Sequence, residues 1–269
     1  MNLVPLIFLS LSALFADISP ANNPDKNLVA YYSFDNCDAR DDTGFGSDGK
    51  MFGSIECWCG VKDDGLLFDG INDYIRFGGR VNQVFNTTDF TISFYFKTAH
   101  RSVFRQSLLS KRTQCDEIQM LDLLLDGNLK ILETEVHESP EIDYPGLSPA
   151  LDSTRWQHFA LVRKGTMAYT YINGAMRQKS RRCSGVDISN DAPLSFSDSP
   201  CLDAGVRRFK GVLDELRIYD RALEEAEIFA LYRQNPVETA EQDCFSYLPK
   251  NNRKAFPQPA ETDYLCQLY

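Results

Sequence analysis

The sequence predicts an all-β protein, an antiparallel two-sheet β-sandwich of jelly-roll type with one short C-terminal helix. Three observations carry the prediction. Short runs rich in β-branched and aromatic residues recur from residue 28 to 220, separated by polar turn residues. Within those runs apolar residues alternate with period 2, and a helical period appears only near the end. Hydrophobic residues make up 43% of the 269 positions and aromatics 12%, which is ample for a folded core.

The strand candidates, in order, are LVAYYSF (28–34), YIRF (74–77), FTISFYFK (90–97), LKILETEV (129–136), WQHFALVRK (156–164), AYTYIN (168–173) and VLDELRIYD (212–220). In FTISFYFK the residues Phe90, Ile92, Phe94 and Phe96 share an apolar face, while Thr91, Ser93, Tyr95 and Lys97 form a wetter one, as one sheet of a sandwich requires. WQHFALVRK sets Trp156, His158, Ala160 and Val162 against Gln157, Phe159, Leu161 and Arg163, so both of its faces are expected to be covered. Asp126-Gly127-Asn128 and Asn173-Gly174 are hairpin signals. The helix is expected over 222–232, with Leu223, Ala226, Phe229 and Ala230 as its apolar stripe, Asp220 as its cap and Asn235-Pro236 as its stop.

Residues Leu3 to Phe15 are almost uninterruptedly apolar and are followed by Ala16 and polar residues. That length suits a signal-peptide core and is too short to span a bilayer; the alternative is a buried first strand. The expected organisation is a signal peptide at 1–16, a linker at 17–27, the sandwich at 28–233 and a Cys-containing tail at 234–269. The chain holds eight cysteines: Cys37, Cys57, Cys59, Cys115, Cys183, Cys201, Cys244 and Cys266. An even number behind a signal peptide reads as disulfides in a secreted protein, or in the periplasm or at the cell surface of a bacterium. Proximity suggests Cys37 with Cys57 or Cys59, and Cys244 with Cys266. Cys115, Cys183 and Cys201 then share one bond, the leftover joining the remaining early cysteine. Cys57-Trp58-Cys59 is CxC, and His100, His137 and His158 lie near no cysteine pair, so the spacing is not that of a zinc site.

With 28 Lys+Arg against 38 Asp+Glu, the net charge is 28 − 38 = −10. Nucleic acid and anionic membranes favour basic faces, so neither is expected as the main partner. Beyond the N-terminus no run approaches the ~18 apolar residues of a membrane span.

Four stretches together resemble the laminin G-like / concanavalin A-like lectin–glucanase superfamily, in its secreted jelly-roll branch. They are YYSFDNCDARDDTGFGSDG (31–49), LLFDGINDYIRF (66–77), WQHFALVRKGTMAYTYINGA (156–175) and FKGVLDELRIYDRALEEAEIFALY (209–232). The last is the most specific, because a strand ending in D-E-x-R-I-Y runs at once into a short capped helix. Where the family often has Ser at the helix cap this chain has Glu224, which leaves the cap to Asp220. The tail after Gln234 lies outside the resemblance.

Asp35, Asp38, Asp41, Asp42 and Asp48 fall within one Gly-rich loop, and hard oxygen ligands are what calcium takes. The resemblance implies a structural calcium ion between this loop and the last long strand. Carried onto this chain, its ligands are Asp35, Asp42 and Asp48, with carbonyls around Gly46 to Gly49, and Asp214. A solvated acidic loop is the alternative.

The superfamily also contains glycoside hydrolases, and Glu133-Thr134-Glu135-Val136-His137-Glu138 is similar to their acidic strand, with Glu in place of its central Asp. Retaining hydrolysis needs two carboxyls about 5–5.5 Å apart on one face. Glu133 and Glu135 share a face, whereas Glu138 points away unless a bulge intervenes. No G-x-S-x-G elbow is present, and no catalytic residue is assigned.

Sugar-binding surfaces combine planar aromatics with amides and carboxylates. The candidates are Trp58, Asn72 and Asp73 beside Tyr74, and Tyr144 in a loop at 137–147; the Asn72-Asp73-Tyr74 triplet also suits a turn. Arg177, Lys179, Arg181 and Arg182 form a basic cluster that is either a solvated hairpin tip or a seat for an acidic partner. Asn86-Thr87-Thr88 is a glycosylation sequon if the source is eukaryotic. The expectation is a secreted, non-enzymatic carbohydrate-binding or adhesion protein whose partner is a glycan or an extracellular protein. A laminarinase-type hydrolase using Glu133 and Glu138, and an extracellular structural or protein-interaction module, are the alternatives.

Overall fold

The computed structural model describes residues 25–86, 89–98, 102–152, 155–180 and 187–240. The expected signal peptide, Arg181 and Arg182, and Cys183, Cys244 and Cys266 lie outside the described residues. In chain order the first strands are β1 (Leu28–Tyr32), β2 (Gly49–Phe52), β3 (Glu56–Cys59), β4 (Asp64–Asp69) and β5 (Tyr74–Phe77). Next come β6 (Phe90–Thr98), β7 (Arg105–Lys111), β8 (Met120–Asp126), β9 (Ile131–Ser139) and β10 (Ile142–Leu147). They are followed by β11 (Gln157–Lys164), β12 (Met167–Ile172), β13 (Ala175–Lys179), β14 (Ser195–Phe196), β15 (Val206–Arg208), β16 (Lys210–Tyr219) and the helix α1 (Glu225–Gln234).

These strands form two sheets. One runs β13-β12-β11-β6-β16-β4-β3, with β1 also paired to β16. The other runs β10-β9-β8-β7-β14-β5-β2, with β15 on β7. That last pairing is parallel, whereas β16 with β6 and β8 with β9 are typical of the antiparallel ladders that make up the rest. The expected antiparallel sandwich is therefore the observed fold. Between the sheets aromatic rings interlock: Phe94 of β6 lies 5.3 Å from Phe159 and 6.1 Å from Phe196, which in turn lies 5.0 Å from Phe68 and 5.5 Å from Phe209. Tilted rings at these separations combine area burial with favourable quadrupole contacts.

The wetter face of β6 is also buried, because α1 and its entry segment pack over it. Thr91 donates its hydroxyl to the Arg221 carbonyl at 2.8 Å and accepts the Leu223 N–H at 2.9 Å. Ser93 shares a 2.8 Å hydrogen bond with His158 Nε2, and the Tyr95 hydroxyl donates to the Tyr232 carbonyl at 3.2 Å. Thr91 and Tyr95 thus dock the entry and the end of the helix, while Ser93 satisfies the buried imidazole of His158. β11 is buried on both faces, as its pattern requires.

Four expectations need correction. The helix starts at Glu225, and its N-cap is Glu224, whose backbone N–H is accepted by Glu227 at 2.9 Å. Asp220 instead accepts a hydrogen bond from Asn27 at 2.7 Å, joining the two ends of the domain. The stripe against the sheet is Ile228, Leu231 and Tyr232, while Phe229 is 51% exposed. Residues 137–147 form most of the β9–β10 hairpin, turning at Pro140-Glu141, where a loop was expected. Runs such as MLDLLLD (β8) and RQSLLSK (β7) were not recognised as strands, since they are buried almost throughout and so show little alternation.

Cys37 pairs with Cys57, one of the two expected staples, and Cys115 pairs with Cys201; Cys59 is disulfide-bonded as well.

His158 is fully buried, and burial, aided by the charge of Arg217, lowers its pKa from 6.5 to about 3. The unfolded chain therefore binds a proton between pH 6.5 and 3 that the folded protein refuses, so stability present above pH 6.5 is lost as pH falls through that window. Urea unfolding from pH 7 to 3.5 should show this loss, and His158→Gln should make it shallower. An unchanged slope in the variant would contradict the assignment.

Candidate functional site

The acidic opening loop is organised by a residue that composition alone does not single out. Asp41 is 4% exposed; its carboxylate accepts the backbone N–H groups of Tyr31, Thr43 and Ser47 and the Thr43 hydroxyl. Asp42 accepts the Ser33 N–H at 2.9 Å and Asp48 the Asp41 N–H at 2.9 Å. Much of the acidity in this loop therefore satisfies backbone donors.

A second acidic site lies on β16. β4 pairs with its first half, Lys210 to Leu213, and β1 with its second, Leu216 to Tyr219. Asp214 and Glu215 lie between, at a bulge in which Glu215 has φ 53°. The bulge breaks the alternation, so Leu213, Leu216 and Ile218 enter the main core while two consecutive acids leave it together. Both acids are fully buried. Asp214 accepts the N–H groups of Glu215 at 2.8 Å and Lys62 at 3.2 Å. Burial and the neighbouring Glu215 charge push its pKa well up. A side chain at Gly60 would bring its Cβ to 2.2 Å from Asp214 Oδ2, so the turn over the carboxylate requires glycine. Glu215 accepts the Tyr31 hydroxyl at 2.7 Å and pairs with Arg217 at 2.5 Å, and that guanidinium stacks on the Tyr31 ring.

The four expected calcium ligands are distributed over these two places. Asp42 and Asp48 serve the opening loop, and Asp214 serves the 60–62 turn. Asp35 is different: its Oδ1 is buried with no hydrogen-bond partner among the described residues, and burial outweighs Lys62 to raise its pKa. Among the described residues, the one cluster of three potential ligand atoms is Cys37, Cys57 and Asp64, whose cysteines are spent on a disulfide. Asp35 thus keeps one buried carboxylate oxygen without a partner, and among the described residues the four aspartates do not converge into one cage.

Of the expected ligand-binding residues, Asn72 is exposed. Asp73 is buried and accepts the N–H groups of Ser54 at 2.6 Å and Asp69 at 2.9 Å, the turn role that the triplet also suited. Trp58 is half-buried in a cluster with Tyr95, Trp156 and Val212. Tyr144 requires correction: it is 1% exposed, faces the core and hydrogen-bonds Thr170 at 2.8 Å, so its ring is closed to a ligand. The acids of the hydrolase alternative are engaged separately. Glu133 pairs with Arg105, and Glu138 accepts the Asp187 N–H at 3.3 Å.

The outer face of the β10-to-β2 sheet holds a feature absent from the expected set. A cleft of about 500 Å³ opens there, lined by Arg105, Ile118, Leu124, Glu135 and Val206 beside the Cys115–Cys201 disulfide. At its base Arg112 donates to Asp122 at 2.8 Å, and both are buried. Burial raises the Asp122 pKa to about 6 despite that cation, and Glu135, its partner across the ladder, adds to the shift. Asp122, set among the leucines of MLDLLLD, was the available signal. A second hollow of about 450 Å³ neighbours it, with Arg76, Ser195 and Asp198 in its wall.

A family model, laminin G-type and described as the concanavalin A-like lectin/glucanases superfamily, matches residues 69–229, more than half of the chain, and the chain belongs to that superfamily. No curated protein matches it in sequence. Among solved structures, it is similar to domain 4 of AbnA, an extracellular GH43 arabinanase from Geobacillus stearothermophilus, in complex with arabinotriose. That likeness has TM-score 0.59 and 22% identity, and covers 77% of this chain and 98% of that domain. It is also similar to the binding domain of Paraclostridial Mosquitocidal Protein 1 (TM-score 0.62, 16% identity, 78% of this chain and 53% of that one). A third likeness is to botulinum neurotoxin type C, whose cell entry depends on two ganglioside molecules (TM-score 0.60, 12% identity, 79% and 52%). The chain thus spans about half the length of the toxin domains, and at these identities the likeness establishes the fold.

Because Asp41 serves several donors and Asp48 accepts one backbone bond, their removal should differ. Asp41→Ala should cost about 2–4 kcal/mol and Asp48→Ala about 1 kcal/mol in urea unfolding. Equal losses would contradict the hub role of Asp41.

Proposed function

We propose that the protein is a secreted, non-enzymatic carbohydrate-binding module whose ligand surface is the outer face of the β10-to-β2 sheet. The observation that carries this reading is the asymmetry of the sandwich. The other sheet is largely covered on its outside by α1 and the Trp58 cluster, with one hollow of about 430 Å³ where β11 begins beside Trp156 and Asn173, whereas this one presents two neighbouring clefts with mixed polar and apolar walls. The arabinanase domain, matched over 98% of its length and holding arabinotriose, supports the same class of ligand. The separate engagement of Glu133 and Glu138 supports binding over hydrolysis, and the disulfides support an oxidising compartment. The proposed structural calcium ion is held at Asp35, whose unpartnered oxygen supports it.

A panel of neutral and charged glycans, read in calcium and in EDTA, tests the binding reading, with thermal melting followed in parallel. At least one glycan class should bind, without release of reducing ends. Calcium should raise Tm in the wild type but not in Asp35→Asn. Binding to no glycan in either buffer would overturn the carbohydrate reading, and identical Tm values in both buffers would overturn the ion.

A further inference from the structure

The edge of the outer face carries a strip that none of the residues discussed so far explains. β2 and β5 pair in register, Lys50 opposite Arg76 and Phe52 opposite Tyr74. Met51 and Ile75 turn inward to the core, so alternation sends Lys50, Phe52, Tyr74 and Arg76 outward together. Phe52 and Tyr74 stack with centroids 4.4 Å apart and planes 5° from parallel. Cations clamp the pair: Lys50 lies 5.0 Å from the Phe52 centroid, Arg76 5.1 Å and Arg208 4.3 Å from that of Tyr74. Such contacts fix the cations in place while leaving their charge available.

Asp198 accepts from both arginines, Arg76 through Nε and Nη2 at 3.1 and 2.9 Å and Arg208 through Nη1 at 2.9 Å. The strip therefore carries three positive charges against one negative, 3 − 1 = +2, on a chain whose net charge is −10. Lys50 is exposed and has no carboxylate partner among the described residues, and the Arg76 side chain is 48% exposed. Arg76 also forms part of the wall of the 450 Å³ hollow, beside Arg112, Asp191 and Asp198, so it borders a space large enough for a sugar unit.

We propose that this strip recognises an anionic saccharide, one bearing sulfate or carboxylate groups, with Lys50 and Arg76 contacting the anion and Arg208 positioning Arg76 through Asp198. The inference rests on the carbohydrate-binding reading and names the class of glycan. Charge complementarity supports it: an anionic ligand is repelled by most of this acidic surface and attracted here.

Dextran sulfate, polygalacturonate, unmodified dextran and poly-glutamate distinguish the possibilities, with binding measured by calorimetry at 50 and 300 mM NaCl. Dextran sulfate or polygalacturonate should bind at least tenfold more tightly than dextran, and more weakly at the higher salt. Lys50→Glu and Arg76→Ala should each weaken that binding at least tenfold, while Arg233→Glu, at an exposed cation on α1, changes it less than twofold. Should Arg76→Ala fail to fold, Lys50→Glu decides, since Lys50 makes no ion pair among the described residues. Dextran bound as tightly as the charged polymers would overturn the anionic assignment and leave the carbohydrate reading standing. Poly-glutamate bound as tightly would overturn the saccharide assignment. Binding unaffected by Lys50→Glu would overturn the location.

Discussion

The structure depends on a pair of buried carboxylates in the middle of its longest strand. β16 is hydrogen-bonded to β6 along most of one edge, and its other edge changes partner from β4 to β1 at Asp214 and Glu215. Neither acid has water around it, so each must be satisfied by the protein, and both reach the opening part of the chain. Asp214 takes the N–H of Lys62, and Glu215 takes the hydroxyl of Tyr31 while pairing with Arg217. Sequence separations of 152 and 184 residues are closed by these two side chains. A jelly roll has to join its first and last strands in one sheet, and here the cost of leaving two buried acids without partners reinforces the junction that the β1–β16 ladder makes.

Much of this was legible in the residues. The alternation of Phe90, Ile92, Phe94 and Phe96 identified the core face of β6, and the two covered faces of β11 showed a sheet wrapped on both sides. The D-E-x-R-I-Y run marked β16. The bulge was not anticipated, although two acids in succession between Leu213 and Leu216 break a period-2 pattern. Edge strands such as β2 and β3, four residues each, are too short for any period to emerge. β8 and β7 form the floor of the outer-face cleft and are buried almost end to end, so their residues show little of the alternation that would reveal a strand.

The site was less legible, because residue type does not say which donor a carboxylate meets. Asp41, Asp42 and Asp48 have the composition of a cation loop, yet each accepts backbone N–H groups in the structure. Tyr144 has the composition of a sugar platform, but the parity of β10 turns it inward. Residues Lys50, Phe52, Tyr74 and Arg76 converge through strand register alone, which no local motif encodes. The helix protects one sheet, and the other keeps its outer face for clefts and charge. Fold and candidate function thus divide the molecule between its two sheets.

Native-state hydrogen exchange on the doubly substituted Asp214→Asn/Glu215→Gln protein tests the central claim most directly. If the two carboxylates join the first and last strands, the amides of residues 30–33 and 60–64 exchange faster together, while those of β8 and β9 keep their protection. Faster exchange at 60–64 alone, or a uniform loss across both sheets, would contradict it.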